Sequence, residues 1–298
     1  MDRSASSNLL NLQPLGIPTL VIADDPQLIA AARAAYACWS VEAPHSEPRI
    51  ELRLEIGDAS PSADVSLDIR VEGSRLQLRG SGAEGMADAA AFKARATVTR
   101  ALANDPVQFT EVIDTLLLFL LARDGRTPVH ASGFMLGDRA ILLAGPSGSG
   151  KSTLALAAAK RGLPIFSDDM LFVQLQPSFA LWGFPRPMHL FVKDAPPGDH
   201  RHRLRNEKLK AAVPLETPAL KAERSILILL GHGETLGIRP IPAAEAVKQL
   251  MRLDAGFDLL EEDSRAALEV LASAGAWHLT LIDDANAAID LLVSRFGA

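Results

Sequence analysis

The stretch Gly145-Pro146-Ser147-Gly148-Ser149-Gly150-Lys151-Ser152-Thr153 decides how the rest of the chain is read. It follows the apolar run Ala140-Ile141-Leu142-Leu143-Ala144 and leads into Leu154-Ala155-Leu156-Ala157-Ala158-Ala159-Lys160-Arg161. The order is strand, glycine-rich loop, helix, and the spacing fits G-x-x-x-x-G-K-S/T, the P-loop. Glycines here let successive backbone N–H groups converge on phosphate oxygens at a helix N-terminus, where the dipole also favours anions. Lys151 would reach the β- and γ-phosphates, and the Ser152 hydroxyl would ligate Mg²⁺. The stretch therefore implies an α/β domain that binds a nucleoside triphosphate.

Working outward, Thr127-Pro128-Val129-His130-Ala131-Ser132-Gly133-Phe134-Met135-Leu136 precedes Gly137-Asp138. A two-residue hairpin with glycine at its first central position would pair Leu136 with Arg139. Continued residue by residue, that register sets His130 opposite Gly145 and brings a titratable imidazole to the phosphate loop. On the other side Gly162 stops the helix. Leu163-Pro164-Ile165-Phe166-Ser167 is a short strand that ends at Asp168-Asp169. A compact βαβ unit predicts parallel strands and a right-handed crossover. Ligands of such sheets collect at the C-terminal strand ends, which delivers Asp168 and Asp169 to the edge that holds Lys151 and Ser152. Two carboxylates there could hold Mg²⁺ through water or accept a proton from an incoming hydroxyl.

Val129-His130, the phosphate loop, Arg161-Gly162 and Ser167-Asp168-Asp169 together resemble the core of the HPr kinase/phosphorylase family, over about residues 126–175. The resemblance implies a P-loop kinase core related to phosphoenolpyruvate carboxykinases, using ATP and Mg²⁺ to phosphorylate a serine on a small protein or peptide. It implies that Lys151 binds phosphate, Ser152 and Asp168 serve the metal, Asp169 takes the seryl proton and His130 orients that acid. The family's glycine-rich segment after the acidic pair, with its metal-binding glutamate, has no counterpart; Glu207 is the nearest substitute by chain order. The N-terminal part looks similar to shorter HPr-kinase-like proteins of peptide-modification systems, some of which phosphorylate the C-terminal serine of a lasso-peptide precursor.

The remaining sequence sets the frame. A chain of 298 residues that is 48% hydrophobic and 22% charged is an ordinary globular composition. The net charge of −6 argues against nucleic acid as a partner. The longest apolar run, Leu116 to Ala122, is too short to cross a bilayer, and a single cysteine, Cys38, suits a reducing compartment and reads as a small buried residue. A cytoplasmic location is expected, with self-association into a homo-oligomer left open.

Residues 1–105 read as a small α+β accessory domain with an antiparallel sheet, and 106–298 as the catalytic domain. In the first, residues 1–15 look like a loose lead-in, Thr19–Ala23 a strand, and Asp25-Pro26 the start of a helix through about Trp39. Ile50, Leu52, Leu54 and Ile56 alternate with polar residues; Val65 to Val71 and Leu76-Gln77-Leu78 flank Glu72-Gly73-Ser74 as a hairpin. Residues 83–104 are ambiguous between strand and helix. Asp105-Pro106 opens an apolar helix to Arg123, expected as the seam between the two parts. Substrate contacts are expected from Arg186, within a proline- and aromatic-rich stretch, and from Arg203 and Arg205 in the basic run 200–210, read as a solvated loop or lid. His232, flanked by glycines, reads as a turn residue. Two other functions stay open: a small-molecule kinase, and a nucleotide-binding regulator or ATPase without a phosphoacceptor.

Overall fold

A computed structural model describes residues 8–42, 46–58, 67–80, 82–191, 201–205, 208–253 and 261–297. The chain forms two compact units, Met1–Asp124 and Gly125–Ala298, in a mixed α/β architecture with several sheets.

The first unit contains strands β1 (Leu9–Leu12) and β2 (Thr19–Ala23), helix α1 (Pro26–Ala35), strands β3 (Ile50–Ile56), β4 (Asp68–Glu72), β5 (Arg75–Gly80), β6 (Ala83–Asp88) and β7 (Lys93–Val98), and helices α2 (Arg100–Ala103) and α3 (Pro106–Arg123). Its sheet has the order β1-β2-β3-β7-β6-β5-β4. The β4–β5 hairpin is antiparallel, but β2–β3 and β3–β7 are parallel, so the sheet is mixed and not the antiparallel sheet expected. The reason is α1, which crosses over between β2 and β3 and returns the chain in the same direction. From Asn8 on, the lead-in is more ordered than its composition implies, because Leu10 and Leu12 are buried and β1 pairs antiparallel with β2. Residues 83–104 resolve into two strands and a short helix. Val65 lies outside the described residues, and Cys38 is exposed in a 3₁₀ turn.

Both long helices begin as their sequences dictate. The Asp25 carboxylate accepts the Gln27 N–H at 2.8 Å, and Asp105 accepts those of Val107 and Gln108 at 2.9 and 3.2 Å. Helix α3 packs on β6 and β7 and receives a hydrogen bond from the Tyr36 hydroxyl through Asp114. It therefore belongs with the first unit, and the division falls between Asp124 and Gly125 in place of residue 105.

The second unit holds β8 (Thr127–Val129), β9 (Ser132–Leu136), β10 (Arg139–Ala144), α4 (Lys151–Lys160), β11 (Ile165–Ser167), β12 (Leu171–Gln174), β13 (Ala180–Gly183), β14 (Met188–Phe191), β15 (Arg201–Arg205), β16 (Lys208–Val213), β17 (Lys221–Ala222), β18 (Ser225–His232), β19 (Gly237–Pro240), α5 (Ala243–Leu250), α6 (Glu261–Ser273), β20 (Ala276–Leu281) and α7 (Ala285–Phe296). The principal sheet runs β11-β9-β10-β18-β20-β19. Its centre reads as an unbroken apolar run because both faces are covered. Ile141 and Leu143 pack with residues of α4 and α7, whereas Ala140, Leu142 and Ala144 pack with α5 and α6. Two smaller sheets, β17-β13-β12-β8 and β14-β16-β15, complete the unit.

Three expectations change here. Strands β10 and β11 point the same way but are not neighbours, because β9 lies between them and is antiparallel to both. The described residues of the basic run lie in the antiparallel strands β15 and β16 and not in a loop. His232 ends the central strand β18 instead of occupying a turn.

Candidate functional site

The glycine-rich loop expected to bind phosphate begins where β10 leaves the sheet. Gly148 and Gly150 have φ of 85° and 96°, a left-handed backbone that glycine adopts without cost and that turns N–H groups inward. Gly145 is required by space: a Cβ there would lie 2.6 Å from Ser149 Oγ. Pro146, Ser147 and Gly148 form the exposed rim, whereas Gly145, Ser149 and Lys151 are buried; Ser152 is half-buried in the first turn of α4 and Thr153 is exposed. Lys151 folds back over the loop, its Nζ donating to the carbonyls of Gly145 at 2.6 Å and Pro146 at 3.2 Å. Ser149 Oγ is buried with no hydrogen-bond partner.

His130 reaches this edge by a route other than the expected ladder. The β9–β10 pairing follows the hairpin register, with Gly137 at φ 61°, but its last pair is Ser132 with Leu143. Beyond Ser132 the chain departs for another sheet, where Val129 of β8 pairs with Leu171 of β12. The acidic segment makes the same crossing: it leaves the principal sheet at Ser167, which pairs with Gly133, and enters the smaller one at Leu171. Two segments thus cross side by side between the same two sheets. His130 lies on one and Asp169 on the other, with Nδ1 3.3 Å from Oδ1.

The adjacent acids have different surroundings. Asp169 is half-buried, with 42% of its side chain accessible. Asp168 is 8% exposed. Its Oδ2 accepts the backbone N–H of His189 at 3.0 Å, while Oδ1 is buried without a partner. An unpaired buried carboxylate oxygen costs several kcal/mol unless a cation or donor meets it. Serines fix the crossing: Ser132 Oγ donates to the Ser167 carbonyl at 3.1 Å, and Ser167 Oγ accepts from the N–H groups of Met170 at 3.1 Å and Asp169 at 3.4 Å. Sequence reasoning assigned no role to Ser132, Ser167 or His189. The serines stood inside the quoted motifs, but His189 is too distant in sequence to be tied to Asp168 by any pattern.

Other residues singled out from sequence are less centrally placed. Arg186 is half-buried with its guanidinium 4.5 Å from the Phe184 ring centroid, a stacking contact within its own segment. Arg203 and Arg205 lie on β15, opposite Lys210 and Lys208. Glu207 lies outside the described residues. Among the described residues, no three His, Cys, Asp or Glu side chains gather as a metal site, and no helix is long and apolar enough to cross a membrane.

No family model matches the chain, and no curated protein sequence matches it. Among solved structures, the chain is similar to the HPr(Ser) kinase/phosphatase from Coxiella burnetii, over 57% of this chain and 95% of that one, at 15% identity and a TM-score of 0.31. A likeness at that level carries no argument about function.

Proposed function

We propose that this chain is an ATP- and Mg²⁺-dependent kinase that transfers the γ-phosphate to a serine hydroxyl of a small protein or peptide. The observation that carries the reading is the pair formed by His130 and Asp169 beside a buried, half-satisfied Asp168, on the sheet edge where the phosphate loop begins. A nucleotide-binding regulator needs the loop but not a second, solvent-accessible carboxylate oriented by an imidazole.

In this reading the backbone N–H groups from Gly145 to Ser152 bind the β- and γ-phosphates, and Lys151 exchanges its carbonyl partners for phosphate oxygens. Ser152 and Asp168 would hold Mg²⁺; the hard oxygen donors and the unpartnered Oδ1 suit such an ion. When bound, Mg²⁺ supplies positive charge against the charge that develops on the transferred group. Asp169 accepts the proton of the seryl hydroxyl as its oxygen bonds to the γ-phosphorus. The bond from phosphorus to the bridging oxygen breaks, and ADP departs with the electron pair. His130 holds the Asp169 carboxylate in position through Nδ1. The acceptor to test first is the C-terminal serine of a lasso-peptide precursor, alongside small serine-containing proteins.

The test is intact-mass analysis of candidate peptides and proteins after incubation with ATP and Mg²⁺. A gain of one phosphate on a serine supports the proposal. Release of free phosphate alone, across a broad panel that includes small-molecule acceptors, would replace it with an ATPase.

A further inference from the structure

A phosphate chain held by the loop after β10 could leave it in either of two directions along the sheet edge. In the order β11-β9-β10-β18-β20-β19, His130, Asp168 and Asp169 lie on the β9 and β11 side. The C-terminal ends of β18 and β20, both parallel to β10, open on the other side of the same edge. Neighbouring strands stand about 4.8 Å apart, so these two ends are roughly 5 and 10 Å from the start of the loop. The loop touches both. A Cβ on Gly145 would lie 3.4 Å from the Leu230 carbonyl oxygen, and one on Gly150 would lie 3.0 Å from Leu281 Cδ1. The two ends are also tied to each other: His232 pairs in register with Leu281, and the Gly233 N–H donates to the Leu281 carbonyl at 3.0 Å. His232, Glu234 and Asp283 are exposed there. Ile228 and Leu230 pack with Leu154, Ala157 and Ala158 of α4, and the period of two carries His232 to that same face of β18. Asp284 is committed to the cap of α7, its carboxylate accepting the Ala287 N–H at 3.0 Å. This side of the loop is therefore rich in acceptors and negative charge, unsuited to phosphate and suited to hydroxyl and amino donors.

We propose that the ends of β18 and β20 hold the nucleoside of the bound nucleotide, with Asp283 accepting hydrogen bonds from the ribose hydroxyls and the His232 imidazole stacking on the base. The direction rests on the kinase reading. If the γ-phosphate meets Asp169 on the β9 side, the α-phosphate and the sugar leave the loop on the β18 side. A nucleotide laid the other way would set its ribose against Asp169 and bring its γ-phosphate among Glu234 and Asp283, where like charges oppose it. An imidazole offers a flat π-face to any purine, so His232 adds affinity, and the carboxylate of Asp283 adds selectivity for a sugar that carries hydroxyls.

The test compares ADP, 2′,3′-dideoxy-ADP and inorganic pyrophosphate as ligands of the full-length protein, by calorimetry with Mg²⁺. Asp283→Ala should raise the Kd of ADP about tenfold, the size expected when hydrogen bonds to a charged acceptor are lost. The Kd of pyrophosphate should stay within about twofold, a separation that mere loss of folding cannot produce. The dideoxy nucleotide should bind the wild type as weakly as ADP binds the variant, and lose nothing further in the variant. His232→Ala should weaken ADP and the dideoxy nucleotide alike and again spare pyrophosphate. Photolabelling with 8-azido-ADP then locates the base, with label displaceable by ADP expected within residues 231–236 or 282–286. Label within 126–132 or 165–190 would overturn the placement. Unchanged ADP affinity in Asp283→Ala, or an equal loss of pyrophosphate affinity, would overturn the role given to Asp283. Label at the strand ends without phosphotransfer to any acceptor counts against the kinase reading alone. Phosphotransfer with label on the β9 side counts against the placement alone, and absence of ADP binding by the wild type overturns both.

Discussion

In the proposed reaction, His130, Asp168 and Asp169 divide the chemistry according to their surroundings. Asp168 is held by the N–H of His189 and keeps one buried oxygen unpaired, so it is fixed and suited to a cation. Asp169 is partly open to solvent and oriented from one side by His130, so it suits a group that must meet an incoming substrate. A positioning residue contributes less than the base it serves. His130→Ala is accordingly expected to lower kcat by roughly tenfold to a hundredfold, less than loss of a general base at about 10²–10⁴-fold. Its ADP affinity, read by calorimetry, should stay unchanged; a matching loss of ADP affinity would place His130 in the nucleotide site instead. Gly145→Ala tests the loop. The new Cβ would meet Ser149 Oγ at 2.6 Å and Cβ at 3.0 Å, in a buried place with little room to give. ADP affinity should fall about tenfold, roughly 1.4 kcal/mol, and a wild-type Kd would show that the loop tolerates the methyl group.

At the scale of elements, local rules account for most of what forms. The Asp105 cap supports α3 through two backbone N–H groups, and Asp105→Ala should cost about 1 kcal/mol in urea unfolding. No change in the unfolding midpoint would mean that burial of Leu116, Leu117 and Leu120 alone fixes the helix. The same local rules explain what could be read in advance. The loop between an apolar run and an Ala-rich helix, the Gly137-Asp138 turn and the capping aspartates depend on residues near one another in sequence. Strand order does not. Nothing in Leu163–Ser167 says that β9 will lie between it and β10, because periodicity reports which faces are buried and not which strand is next door. The alternation of Ile50 to Ile56 likewise shows a half-buried strand but not its parallel partners. Extending the β9–β10 ladder predicts His130 at the same edge as the loop, but that ladder stops at Ser132. The position of His130 comes from the paired crossing between sheets, which involves β12, a strand beyond the reach of hairpin arithmetic.

At the scale of the molecule, one histidine links fold stability to pH. His278 on β20 is partly buried and its Nδ1 has no partner; burial, with the Arg239 charge, lowers its pKa below the usual 6.5, against a smaller opposing effect of Glu245. The folded state therefore favours neutral imidazole. This contribution is fully present above the unfolded value near 6.5 and is lost as pH falls through the lower folded value. The melting temperature should thus drop between roughly pH 7 and pH 5, in the range where histidine titrates. His278→Gln should flatten part of that drop, and an identical slope in the variant would assign it to other groups. The proposed catalytic residues and the glycine-rich loop all lie within Gly125–Ala298, so the proposed phosphotransfer can be tested at one residue with nucleotide binding as an internal control. The most direct measurement is single-turnover transfer from γ-labelled ATP to a serine acceptor by Asp169→Asn, beside its ADP affinity. Transfer reduced by about 10²-fold or more, with ADP affinity held within about twofold, is the predicted result. Transfer at the wild-type rate would contradict the assignment of Asp169 as the base.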